Sequence, residues 1–159
     1  MVRNWILFPL AIAAGTSAAA QQMTNVTTTG GFSAVAHREI ATGAKTKAMV
    51  YSVLGALTMS RTGAVPVRLS GECLGFDEHG EGTPTIGLGR CVWKETAQDA
   101  LFVSIRTEAN KNVYTVTGGT GKWTGARGEI RTNFSYLPAP DGIFLLQESG
   151  AGQISRPKK

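Results

Sequence analysis

Apolar and polar residues alternate along much of this chain with a period of two. Leu101, Val103 and Ile105 fall on one side of an extended segment, and Phe102, Ser104 and Arg106 on the other. Ile130, Thr132, Phe134 and Tyr136 alternate in the same way with Arg131, Asn133 and Ser135, as do Val65, Val67 and Leu69 with Pro66, Arg68 and Ser70. Such alternation sets one face of a sheet against a core and the other in water. Residues 47–54 and 143–148 are apolar on both faces, which suits strands between a core and a second covered surface, such as a subunit interface. Further strands are expected at residues 26–29 or 32–37, 90–94, 112–117 and 153–156, eight or nine in all. Residues 41–46 read as a loop or one helical turn. Asn110-Lys111-Asn112 and the segment 138–142 (PAPDG) carry turn chemistry. Short strands at this spacing mark a sandwich or a barrel, and closure removes the edges of an antiparallel meander. The expected fold is therefore all-β, an antiparallel eight-stranded barrel, closed or nearly closed. Its interior would hold side chains or one small ligand.

The ends and the charge add a location. Arg3, the apolar residues 5–14 and the small residues Ala18-Ala19-Ala20 have the three-part plan of a secretory signal peptide. The apolar run is about half the length that a bilayer core needs. Residues 1–20 are thus expected to be removed, leaving residues 21–159 as a single secreted or periplasmic domain with no membrane span. The net charge of +5 falls to +4 without Arg3. The remaining positives are spread out, apart from Arg156, Lys158 and Lys159. A nucleic-acid face needs them clustered among aromatics, so no nucleic-acid partner is expected. In an oxidising compartment Cys73 and Cys91 should bridge, and their spacing is not that of a C-x-x-C redox pair.

Residues 118–128 read GGTGKWTGARG. A phosphate loop would need Gly where Val116 stands and Ser or Thr where Trp123 stands. A dinucleotide fingerprint fails at Thr124. Gly118, Gly119, Gly121, Gly125 and Gly128 instead suit a tight structural turn between strands, with Trp123 plugging one end of the barrel. The segment resembles one found in plant dirigent proteins and allene oxide cyclases, where a Gly-Gly-Thr/Ser-Gly run, an aromatic, an Ala and a Gly join two barrel strands. The resemblance implies an eight-stranded antiparallel barrel with a lumen, often a trimer, that guides or cyclises small apolar or phenolic molecules. The acidic and basic catalytic residues of those families have no counterparts placed here, and the Cys73 and Cys91 segment departs from the plant pattern.

Other chemistry is sparse. Asp77, Glu78, His79 and Glu81 lack a cation-loop pattern and read as a solvated loop inside the disulfide. His37 and His79 have no nucleophile motif beside them, and no G-x-S-x-G elbow is present. No metal, no cofactor and no catalytic residue is assigned. Trp93, Tyr114, Phe134 and Tyr136 are the candidate ligand-binding residues, their rings lining a lumen and their hydroxyls orienting a guest. The competing reading is that these side chains simply fill the interior. Three functions follow: a barrel binding an apolar or aromatic small molecule without chemistry, a cyclase or isomerase acting in the lumen, or an exported scaffold. A charged side chain pointing inward favours the enzyme, with Arg106, Arg131 and Glu148 as candidates by strand position. Intact mass checks the export reading: the exported protein should begin at or near Gln21, and a cytoplasmic product retaining residues 1–20 would refute it.

Overall fold

In the computed structural model, residues 22–155 are described; the expected signal segment and Arg156 lie outside them. Eight antiparallel strands close into one barrel in chain order. They are β1 (Met23–Ala41), β2 (Thr46–Ser60), β3 (Val67–Gly80), β4 (Thr83–Lys94), β5 (Ala100–Glu108), β6 (Lys111–Gly119), β7 (Arg127–Leu137) and β8 (Ile143–Ser155). A single 3-10 turn, Gly121–Trp123, lies between β6 and β7. The ring closes where β1 pairs with β8, from Met23 opposite Ser155 to Val35 opposite Ile143. Among the described residues no helix is long and apolar enough to cross a membrane.

The period of two survives, and it decides which side chains meet. Leu101, Val103, Ile130 and Thr132 point inward and are buried, as the alternation requires. The strands are longer than their apolar runs. Segments 26–29 and 32–37 are parts of the one strand β1, and segment 143–148 continues to Ser155 in β8. Val65 is the exception at a strand start: it is 84% exposed and lies before β3. The acidic stretch is also corrected. Asp77, Glu78 and His79 are the last full turns of pleat in β3, and only residues 81–82 form the tight connection to β4.

One half of the interior is solid. Trp93, Trp123, Met59, Leu69, Leu101, Ile130, Val103 and Val116 are fully buried there. This end carries the 3-10 turn, and Trp123 plugs it as expected. Its indole donates to Glu95, which also holds Lys122 in an ion pair. Gly121 has φ of +55°, and a side chain there would overlap the Asp99 carboxylate. Asp99 Oδ1 meanwhile accepts the Lys122 amide at 2.8 Å. The left-handed backbone costs an ordinary residue about 1–2 kcal/mol, so glycine is required by both geometry and space. Gly125 is likewise left-handed at +71°, whereas Gly118 and Gly128 are nearly extended.

Cys73 and Cys91 lie directly opposite each other on β3 and β4, both facing inward, and form a disulfide with an S–S distance of 2.04 Å. Closing a loop of this length should stabilise the fold by about 3 kcal/mol. Urea unfolding with and without reductant checks this: the midpoint should fall on reduction, and an unchanged midpoint would contradict it.

Candidate functional site

The other half of the barrel is not filled. A cavity of about 70 Å³ lies there among Phe32, Met49, Tyr51, Asp77, Tyr114 and Phe144. It opens through one end of the barrel into a shallow basin of about 430 Å³, lined also by His79, Leu137 and Ile143. Met49, Asp77, Tyr136 and Phe144 border both spaces and form the neck between them. The enclosed part is roughly half the ~150 Å³ of an apolar cavity known to hold benzene. A ring-sized guest must therefore lie partly in the basin.

The site is carved by small residues on two neighbouring strands. Tyr51 on β2 stands opposite Gly75 on β3, and Asp77 stands opposite Gly87 on β4. A methyl group at Gly75 would lie 2.5 Å from the Tyr51 ring, and one at Gly87 would overlap the Asp77 carboxylate. Each glycine thus leaves the space that its neighbour's side chain occupies. The Tyr51 hydroxyl donates to Asp77 Oδ1 at 2.9 Å. Burial, and then the charge of Asp77, push the Tyr51 phenol well above its ordinary range. Burial also raises the Asp77 carboxyl, against the opposing effects of the Tyr51 hydrogen bond and His79. The Tyr136 phenol is raised by burial and by Asp77. Two phenols and one carboxylate therefore converge at the neck.

A second carboxylate lies deeper. Glu148 on β8 is 8% exposed and points into the barrel. The Tyr114 hydroxyl donates to it at 2.9 Å, the Asn112 amide at 3.1 Å and the Thr132 hydroxyl at 3.3 Å. Burial raises its pKa, and these hydrogen bonds pull it back down. Tyr114, raised well above its ordinary range by burial and by Glu148, stands with Asn112 and Thr107 between this carboxylate and the cavity. Such a satisfied network ties four strands together and touches the cavity through Thr107, Tyr114 and Asn112.

Of the four residues expected to bind a ligand, Tyr114, Phe134 and Tyr136 line the cavity. Trp93 does not. It is 1% exposed and packs beneath Tyr114 with ring centres 5.0 Å apart. Arg106 and Arg131 are exposed, the latter paired with Glu129 on the outer face. Glu148 alone of the three charged candidates faces inward. His37 is exposed and shares a hydrogen bond with Ser52. Tyr51 and Phe144 were not singled out by the sequence, and Asp77 was read only as part of a solvated acidic loop. The signal for Asp77 was the period of two, carried from Leu69 through Gly71, Cys73 and Gly75 on one face.

No protein-family model matches the chain, and no curated protein matches it. Solved structures do. The pterocarpan synthase dirigent protein GePTS1 aligns at 14% identity over 89% of this chain and 90% of its own, with a TM-score of 0.52. A second one, PsPTS1, aligns at 14% identity over 87% and 97%, with a TM-score of 0.50. The likeness is one of fold: the chain is a dirigent-like barrel.

The raised carboxyl at the neck has a consequence for stability. A carboxyl whose pKa is higher in the folded chain binds its proton more tightly there, so its stabilising effect is lost as pH rises from about 4 through the folded value. Asp77→Asn removes that loss and keeps an acceptor for Tyr51. The variant should melt at a higher temperature than the native protein at pH 7, with the gap narrowing as pH is lowered toward 4. A variant less stable at pH 7 would contradict this.

Proposed function

We propose that this protein is an exported barrel that binds one apolar or aromatic small molecule at the open end of its lumen, without chemistry on it. The observation that carries this reading is the aromatic lining, where Tyr51, Phe134, Tyr136 and Phe144 border a cavity in an otherwise close-packed barrel. A guest places its narrow end in the neck and its body in the basin against Leu137, Ile143 and Phe144. Export before residue 21 fits the Cys73–Cys91 disulfide, which persists in oxidising compartments.

A second reading is a cyclase or isomerase. It is favoured by Glu148, the charged candidate that faces inward, and by Asp77, a carboxyl raised by burial and set beside a phenol in a confined space, the setting in which acid–base groups are tuned. Association of copies is part of the first reading. Val50, Phe76 and Leu88 are direct partners across the outer faces of β2, β3 and β4, with Leu54, Leu74 and Ile86 beside them, each at least 44% exposed. An apolar patch of this kind marks an interaction surface, and a trimer is the state that the resemblance implies.

Native mass spectrometry of the exported protein with 2-phenylethanol tests both points. One guest should bind per chain, and the intact assembly should contain three chains. Phe144→Ala should weaken binding about tenfold, the equivalent of one buried aromatic contact, while Leu88→Ala on the outer face should leave it unchanged. No binding at millimolar concentration, or binding indifferent to Phe144→Ala, would refute the reading. Conversion of a guest in the lumen that Asp77→Asn abolishes would establish the enzyme instead.

A further inference from the structure

The neck has a polarity that the ligand-binding reading does not by itself explain. Asp77 borders both the cavity and the basin. Among the described residues its carboxylate accepts one hydrogen bond, from Tyr51 to Oδ1. No lysine or arginine lines either space. Groups facing Asp77 from the surrounding strands are Tyr51 and Met49 on β2, Gly87 on β4, Thr107 on β5, and Tyr136 on β7. None of them is a cation. His79, further along β3, is the basic residue of the basin, and its ring already lies 4.0 Å from the Glu39 carboxylate. Asp77 therefore sits in a half-buried, aromatic-lined opening with no lysine or arginine beside it, His79 being the one basic residue that acts on it.

We propose that the neck selects a protonated amine: a small aromatic or apolar primary ammonium whose head pairs with Asp77 and whose body lies in the basin. The proposal rests on the ligand-binding reading and names the class of guest. Three features support it. The first is the carboxylate itself, with Oδ2 free to accept a hydrogen bond from an ammonium N–H, a charge-assisted bond of the stronger kind. The second is the aromatic residues Tyr51, Tyr136 and Phe144 that line the same space, since aromatic rings attract cations as well as apolar groups. The third is size. An ammonium head on a short methylene stem fits a cavity of about 70 Å³, whereas a ring does not. The Gly75 and Gly87 openings show that the pair is built into the strands: without them neither Tyr51 nor Asp77 has room. A half-buried carboxylate with no lysine or arginine paired to it is the arrangement expected where the partner is a ligand.

The test compares 2-phenylethylamine, 2-phenylethanol and 3-phenylpropanoate, probes of similar shape that differ in charge, by calorimetric titration of the exported protein at pH 7. The amine should bind at least tenfold more tightly than the alcohol, and the carboxylate more weakly than either. Asp77→Asn should erase the advantage of the amine over the alcohol, with the variant's melting curve establishing that it is folded. Equal binding of amine and alcohol, or an amine advantage that survives Asp77→Asn, overturns the inference while the ligand-binding reading stands. Binding of none of the three overturns both.

Discussion

Everything in this molecule depends on closing eight strands into a ring. Closure gives every strand two hydrogen-bonded neighbours, including β1 and β8 at the seam, and so removes the edges at which an open sheet would associate. It also fixes the width of the interior. An eight-stranded ring encloses little more than a layer of side chains, so a large residue pointing inward must meet a small one. Phe32 illustrates the rule. A methyl group at Gly71 would lie 3.2 Å from its ring, and one at Gly55 would overlap it. The glycines inside this barrel are the spaces into which its aromatics fit.

The two halves apply that rule differently. Toward the 3-10 turn, Trp93 and Trp123 fill the ring with Leu69, Leu101 and Ile130, and each of these five is at most 2% exposed. This end is a core, and its function is to hold the ring closed. Toward the hairpins that follow β1, β3, β5 and β7, the inward positions carry polar groups instead: Tyr51, Asp77, Thr107, Asn112, Tyr114 and Glu148. Those nearest the solid half are saturated with one another around Glu148. Those at the neck are not, since Asp77 holds Tyr51 alone. The boundary between core and site thus coincides with the point at which internal hydrogen-bond partners run out.

The fold was legible in the sequence because alternation is a local signal. Leu101, Val103 and Ile105 declare a half-buried strand without reference to anything else, and the glycine run around Trp123 declares its turn. Strand length was less legible. Gly30, Gly71, Gly150 and Gly152 resemble breaks in a linear reading, yet each lies within a strand, because what it accommodates is a neighbour across the sheet. The site was harder still. Phe134 and Tyr136 read as inward residues because they alternate with polar ones, and Tyr114 was named as their neighbour; all three line the cavity. Trp93 shares their chemistry but is set one layer deeper, and depth along a barrel axis depends on strand stagger, which no single segment records. Asp77 was hidden among Glu78, His79 and Glu81, where composition resembles a solvated loop and only the phase inherited from Leu69 and Cys73 turns its side chain inward.

The central claim is that the neck, not the outer face or the solid core, receives the guest. Ring carbon–proton shifts recorded while 2-phenylethanol is added read this directly. The account predicts shifts at Tyr51, Tyr136 and Phe144 that saturate together, with the indoles of Trp93 and Trp123 unmoved. Shifts confined to Phe76 on the outer sheet, or none at the neck, would contradict it.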